Sequence, residues 1–159
     1  MTFEMKNIEA AFTITTLGVA LGNFNDFAGN NAKIAALKAE IESTGALQKL
    51  LDMGDGRLMQ VNSANTNGQP YRGFGVRGDF DVENSEKITV LAKEHAVFKE
   101  IVSSVETGAD ELTGKVFGGL IGELAAGGYK YVGPYNFTEV IVREDGAIEA
   151  EIWLPVEKA

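Results

Sequence analysis

The sequence predicts an α+β fold in which two βαββ modules, residues 1–82 and 83–159, form a single domain. Two observations predict it. The order strand, helix, strand, strand occurs twice along the chain, and each half alone would be marginal as a folding unit. Two such halves can pair their sheets and place both helices on one face. The other face is then expected to form a ligand cleft between the halves.

The first module is predicted to contain a strand, a helix and two further strands, at residues 8–24, 30–53, 57–62 and 70–80. The first strand is rich in β-branched and aromatic residues, and Gly18 and Gly22 predict a bend in it. The apolar residues of the helix change face near Gly45, which predicts a break there. A polar turn separates the last two strands.

The second module repeats this order, with elements predicted at residues 87–102, 109–126, 129–143 and 147–156. Its helix has the clearest period in the chain, with apolar residues at Leu112, Val116, Phe117, Leu120, Ile121 and Leu124. Thr107 or Gly108 can cap the start of this helix, and Gly127 and Gly128 can end it. Residues 144–146 are typical of a hairpin turn between the last two strands.

The composition is that of a globular chain and narrows the classes of function. The chain has 14 Lys and Arg residues and 23 Asp and Glu residues, which gives a net charge of −9. This acidity disfavours nucleic acid and anionic membranes as direct partners and leaves a cationic ligand open. The absence of cysteine excludes disulfides and thiolate sites, and the single histidine, His95, excludes a multi-histidine metal site. Without a convincing signal segment, we expect a cytoplasmic protein.

Two features that could indicate other chemistry have simpler explanations. Gly73, Gly75 and Gly78 fit the G-x-G-x-x-G spacing of dinucleotide-binding loops, but no helix is predicted to follow them. We expect instead a strand whose glycines allow another backbone or a ligand to approach. His95 has no second histidine or cysteine to act with, so a surface or structural role is expected for it.

The last two predicted strands carry the most informative pattern. Alternation puts Glu151 and Trp153 on one face of the final strand, and Tyr135, Phe137 and Glu139 on one face of the strand before it. Because the helices need an apolar sheet face, the valines and isoleucines of these strands are expected in the core. The acids and rings then share the second face, where they suit an amphipathic cation. The alternative is an ordinary solvated strand face with a few aromatic residues.

The C-terminal part of the chain resembles the GyrI-like family. This family comprises the effector-binding domains of bacterial multidrug-responsive transcription activators and related stand-alone proteins. The resemblance rests on the segment Ala150-Glu-Ile-Trp-Leu-Pro-Val156, preceded by Gly128-Tyr129 and Gly133-Pro134-Tyr135. It implies a curved antiparallel sheet of two related modules, with a pocket between them for bulky, often cationic or aromatic compounds. Glu151 falls on the family's glutamate in the final strand, and Trp153 on the pocket-facing position two residues later.

The chain departs from the family pattern at one place. The family usually has another glutamate shortly after the Gly-Pro pair, followed two residues later by a tyrosine. Here these positions are Phe137 and Glu139. Some family members hydrolyse strained-ring compounds with the first of these glutamates, so a phenylalanine in its place argues against hydrolysis in this chain.

The sequence therefore predicts a stand-alone small-molecule-binding protein of the effector-binding type, with an acidic aromatic cleft for bulky cationic or aromatic compounds. The candidate ligand-binding residues are Tyr71, Tyr135, Phe137, Glu139, Glu151 and Trp153. No catalytic residue, metal ion or cofactor is predicted. The partner is expected to be a small hydrophobic cation, with a separate regulator or gyrase as candidate protein partners. The alternatives are a hydrolase that uses Glu139 or Glu151 as general base, and a protein that modulates gyrase.

Overall fold

The computed structural model describes residues 3–23, 25–65 and 67–159, which form two compact units. Unit 1 contains Leu91–Ala159 together with the N-terminal segment up to Ala11, and unit 2 is Phe12–Val90. The sequence predicted a module boundary after residue 82, whereas unit 2 of the structure extends to Val90. The predicted α+β class is confirmed, and all strand pairs given for the two units are antiparallel.

The elements in chain order are β1 (Phe3–Asn7), β2 (Phe12–Ala20), α1 (Phe27–Ser43), α2 (Ala46–Met53), β3 (Met59–Ala64), β4 (Pro70–Arg77), β5 (Glu86–Val90), β6 (Glu94–Ile101), α3 (Gly108–Lys115), a π-helical segment (Val116–Leu120), α4 (Gly122–Ala126), β7 (Tyr129–Tyr131), β8 (Asn136–Val142) and β9 (Ile148–Lys158). Within the described parts of the chain, none of these helices is long and apolar enough to cross a membrane.

Unit 2 is a four-stranded sheet, in the order β3-β4-β2-β5, with α1 and α2 packed on one face. The Asp26 carboxylate caps α1 by accepting a hydrogen bond from the Gly29 N–H at 3.0 Å. The predicted break at Gly45 is confirmed, since this residue has a φ of 74°, which favours glycine. The core beneath the helices consists of Leu17, Ile41, Leu50, Phe74 and Val76.

Unit 1 is built in the same way, with the sheet order β8-β9-β6-β1 and β7 paired to the end of β9. Its helical residues run from α3 through the π-helical segment to α4. Ile121 donates its N–H to the carbonyl of Val116 at 2.8 Å, five residues back, which is the π-helical spacing. This wider turn interrupts the predicted period. Phe117, within it, is 42% exposed, although it was predicted on the apolar face.

The predicted strand boundaries were wrong at three places. The predicted strand over residues 87–102 is two strands, because β5 pairs with β2 whereas β6 pairs with β1 and β9. No glycine or proline marks the break between them. The predicted strand over residues 129–143 is also two, β7 and β8, with Gly133 and Pro134 between them. Strand β1 was not predicted.

Candidate ligand-binding site

Strands β8 and β9 hold four of the six predicted residues side by side on the face opposite the helices of unit 1. Phe137 lies across from Trp153, and Glu139 lies across from Glu151, in the antiparallel register. The intervening residues of β9 belong to the core under the helices, as the alternation predicts. Tyr135, immediately before β8, completes the group. We call these five residues, Tyr135, Phe137, Glu139, Glu151 and Trp153, the acidic aromatic face.

The three rings of this face form a continuous stack. The Trp153 and Phe137 ring centres are 5.8 Å apart with planes inclined by only 10°, and Phe137 and Tyr135 are 6.3 Å apart at 29°. Tyr135 and Phe137 are 1% and 3% exposed, which does not fit an ordinary solvated strand face. Contacts of this kind contribute about 0.5–1.5 kcal/mol each beyond the area that they bury.

Glu151 lies at the end of the ring stack and is almost buried, with a side chain that is 11% exposed. The indole Nε1–H of Trp153 donates to its Oε1 at 3.0 Å, and the Lys99 Nζ lies 3.8 Å from its Oε2. A carboxylate withdrawn from water in this way needs such partners to offset its lost hydration. The pairing also raises the pKa of Lys99, chiefly through the negative charge of Glu151.

A second lysine lies against the tryptophan. The Nζ of Lys6, in β1, is 5.4 Å from the centre of the Trp153 ring, within the range of a cation–π contact. Lys99 also lies 3.9 Å from an oxygen of Glu4, in the same strand as Lys6. Two ammonium groups of the chain itself, those of Lys6 and Lys99, therefore lie beside the Trp153 indole and the Glu151 carboxylate.

A buried hydrogen-bond chain fixes the Tyr135 end of the stack. The Leu91 N–H donates to the Tyr135 hydroxyl at 2.9 Å, and this hydroxyl lies 2.8 Å from Nε2 of His95. The His95 Nδ1 lies 3.0 Å from the carbonyl of Lys93, which can only accept, so we assign the proton to Nδ1. Tyr135 then donates to Nε2. Burial lowers the pKa of His95, which favours this neutral form, and raises the pKa of Tyr135.

Tyr71, the sixth predicted residue, lies in unit 2 and is 4% exposed. Its ring occupies the space above Gly18 and Gly73, where an added Cβ would overlap it. Its hydroxyl is hydrogen-bonded to Oγ1 of Thr16 at 2.8 Å. Burial raises the pKa of Tyr71 to about 12. The predicted cleft between the two modules stays a prediction.

Sequence reasoning did not place Lys6, His95 and Lys99 beside this face. For His95 it expected a surface or structural role, and the buried hydrogen-bond chain gives this residue a structural one. The three residues lie on β1 and β6, and only the register of β1 against β6, and of β6 against β9, brings them to Trp153 and Glu151. Alternation within β6 could have placed His95 and Lys99 on one face, but not opposite β9. Within residues 3–23, 25–65 and 67–159, the structure has no cluster of three or more residues suited to hold a metal ion.

Comparison with known proteins identifies the fold. The chain matches no family model and no curated protein. It is similar to the solved structure of SAV2435 bound to tetraphenylphosphonium, with a TM-score of 0.74 and 16% identity over 99% of this chain and 94% of that one. It is also similar to a proposed bacterial transcription regulation protein from Staphylococcus aureus MU50, with a TM-score of 0.73 and 16% identity over 99% of both chains. For the C-terminal domain of EcmrR, the TM-score is 0.59 and the identity 13%, over 99% of this chain and 98% of that domain. The resemblance to the GyrI-like family is thus confirmed at the level of the fold, which this chain shares over almost its whole length.

Proposed function

We propose that the acidic aromatic face binds bulky small molecules that combine aromatic surface with a positive charge. The observation that carries this proposal is the ring stack from Trp153 through Phe137 to Tyr135, with the Glu151 carboxylate hydrogen-bonded to the tryptophan at its end. Tyr135 and Phe137 are buried within the stack, whereas Trp153 is partly exposed, so its ring is the one that offers apolar area and a negatively polarised face to a ligand. The Glu151 carboxylate beside it supplies the opposite charge. A ligand with aryl groups around a cationic centre uses both.

The surroundings of Glu151 favour binding over catalysis. A general base has to hold a water molecule and take a proton from it. Both oxygens of Glu151 instead have partners in the chain, Trp153 and Lys99, that stabilise a negative charge. Hydrolysis with Glu139 as the base is the remaining enzymatic alternative. Its signature would be saturable turnover of an activated electrophile that is abolished in Glu139→Gln.

The structures that share the fold support an effector-binding role. One of them is bound to tetraphenylphosphonium, an aryl-substituted cation, and another is the C-terminal domain of EcmrR. We propose that this chain binds compounds of the same kind and takes part in transcription regulation through a separate protein partner. Its net charge of −9 argues against direct contact with nucleic acid.

The test compares two ligands of nearly equal shape. Methyltriphenylphosphonium is cationic, and triphenylphosphine oxide carries the same three aryl groups without a net charge. If the face binds as proposed, the cation binds more tightly by about 1–3 kcal/mol, because a cation–π contact contributes about 0.5–2 kcal/mol and the attraction of the Glu151 charge adds to it. Isothermal calorimetry measures both affinities, and Trp153, the sole tryptophan, reports binding by its fluorescence.

Two variants separate the contribution of the Glu151 charge from that of the aromatic contact area. Glu151→Gln keeps an acceptor for the indole N–H but removes the charge, so most of the preference for the cation should disappear. Trp153→Ala should weaken both ligands, because it removes the stacking area. Glu123→Gln, at an exposed position of α4, makes the same change in net charge and should leave both affinities unchanged. Equal affinities for the two ligands in the unmodified protein would contradict the proposal.

A further inference from the structure

The two features that would recognise a cation are already in contact with cations of the chain itself. The Lys6 Nζ lies 5.4 Å from the Trp153 ring centre, and the Lys99 Nζ lies 3.8 Å from Oε2 of Glu151. A ligand cation that approaches the ring therefore meets the charge of Lys6, and one that approaches the carboxylate meets the charge of Lys99. At such distances, like charges repel in a partly buried site.

The strand register explains why both lysines lie here. Lys6 in β1 is opposite His95 in β6, and Lys99 in β6 is opposite Glu151 in β9. All four side chains therefore lie on the face opposite the helices, in adjacent strands. Both contacts follow from the backbone pairing of the free protein and need no ligand to form.

The two lysines differ in how firmly they are held. Lys99 is in range of two carboxylates, Glu151 and Glu4, and the Glu151 side chain is almost buried. Lys6 is half-buried on β1, the outermost strand of the unit 1 sheet, and its cation–π contact at such a site contributes little. Its long side chain can swing away from the indole without any movement of the backbone.

Building on the proposed function, we propose that Lys6 is a displaceable resident cation that occupies the Trp153 ring in the free protein and determines which cations can replace it. A compact primary ammonium would exchange one ammonium for another, with no net gain at the ring. A cation whose charge is shielded by aryl groups is weakly hydrated and brings its own stacking area, so it can displace Lys6. The site thereby selects aryl-shielded cations over small amines.

The first test removes the resident charge while keeping the length of the side chain. In Lys6→Met we expect methyltriphenylphosphonium to bind about two- to five-fold more tightly, which is the strength of one exposed cation–π contact. Benzylammonium should gain by a larger factor, so that the selectivity for the phosphonium falls. Lys38→Met is the matched control: its Nζ lies 5.5 Å from the ring centre of Phe74 in unit 2, and its loss changes the net charge equally. It should leave both affinities unchanged.

The second test needs no ligand. An aliphatic chain held over an indole has its proton resonances shifted upfield by the ring current. We expect the Cε protons of Lys6 in the free protein to show this shift, to lose it in Trp153→Leu, and to move back towards ordinary values as methyltriphenylphosphonium is added. Ordinary values in the free protein would overturn the resident contact.

The outcomes separate this inference from the proposed function. Cation binding that is no tighter in Lys6→Met overturns the inference and leaves the proposed function standing. Binding that occurs only in Lys6→Met supports the inference and overturns the proposed function for the unmodified protein. An absence of binding in both proteins overturns both proposals.

Discussion

The two units share one scaffold and use its second face differently. In each, four strands in the corresponding order carry helices on one face. On the opposite face of unit 2, the Tyr71 ring lies over Gly18 and Gly73, with its hydroxyl on Thr16. On the opposite face of unit 1 lie a ring stack, a nearly buried carboxylate and two lysines.

The difference shows which part of the fold is structural and which carries chemistry. On the second face of unit 2, the neutral Tyr71 ring is packed tightly over two glycines, so changes there should alter the stability of the fold. Unit 1 keeps charges at the edge of an aromatic surface, where partners are needed to offset lost hydration. Changes there should act on ligand binding and on its charge preference.

The largest effect is expected in unit 2, at the space under Tyr71. In Gly18→Ala the new Cβ would overlap the Tyr71 ring and the Arg72 carbonyl, so the chain has to shift. We expect a loss of about 1–3 kcal/mol in the free energy of unfolding, as for other overpacked sites. Urea denaturation measures it. Gly114→Ala, in α3 with open space around it, should gain about 0.5–1 kcal/mol instead.

Removal of the two buried hydroxyls, in Tyr135→Phe and Tyr71→Phe, is expected to have effects of similar or smaller size. Tyr135→Phe leaves both the Leu91 N–H and the His95 Nε2 without this partner, and the cost should be about 1–3 kcal/mol in the free energy of unfolding. Tyr71→Phe should cost less, about 0.5–1.5 kcal/mol, because Thr16 still donates to the Glu86 carbonyl at 3.1 Å. A Tyr71→Phe variant that is as unstable as Tyr135→Phe would remove this distinction between the units.

The smallest effect is the pH dependence due to His95. Since burial lowers its pKa in the folded protein, the unfolded chain binds the proton more readily. The contribution to stability is therefore complete above the unfolded pKa of about 6.5 and is lost as the pH falls below it. NMR titration of this single histidine should give a pKa below that of the urea-unfolded chain, with the proton on Nδ1. A higher pKa in the folded protein, or a proton on Nε2, would contradict the hydrogen-bond chain.

Local sequence patterns were sufficient to predict the acidic aromatic face but not the two lysines that lie beside it. Period-two alternation in β8 and β9 predicted that four side chains share one face: Phe137, Glu139, Glu151 and Trp153. The prediction extends across both strands because a short turn joins them and sets their register. Lys6 and Lys99 could not be predicted in the same way. They reach the site through pairings between strands far apart in the sequence, and one of these strands, β1, is only five residues long, too short for its apolar–polar alternation to stand out.

The same distinction explains the errors in the helices and strands. The break at Gly45 was predicted because glycine marks it, whereas the division between β5 and β6 has no glycine or proline. The π-helical segment, in which Ile121 bonds to Val116 five residues back, is not indicated by the three- and four-residue spacing of the apolar residues. The predicted period placed Phe117 on the apolar face, whereas this residue is 42% exposed.

The central claim is that the acidic aromatic face of unit 1 binds aryl-shielded cations. The most direct measurement is the indole N–H resonance of Trp153, the only one in the chain, which reports the hydrogen bond to Glu151. During titration with methyltriphenylphosphonium, we expect this resonance to shift and to saturate with the same dissociation constant that calorimetry gives. An indole resonance that stays in place while calorimetry records binding would put the ligand elsewhere and contradict the account.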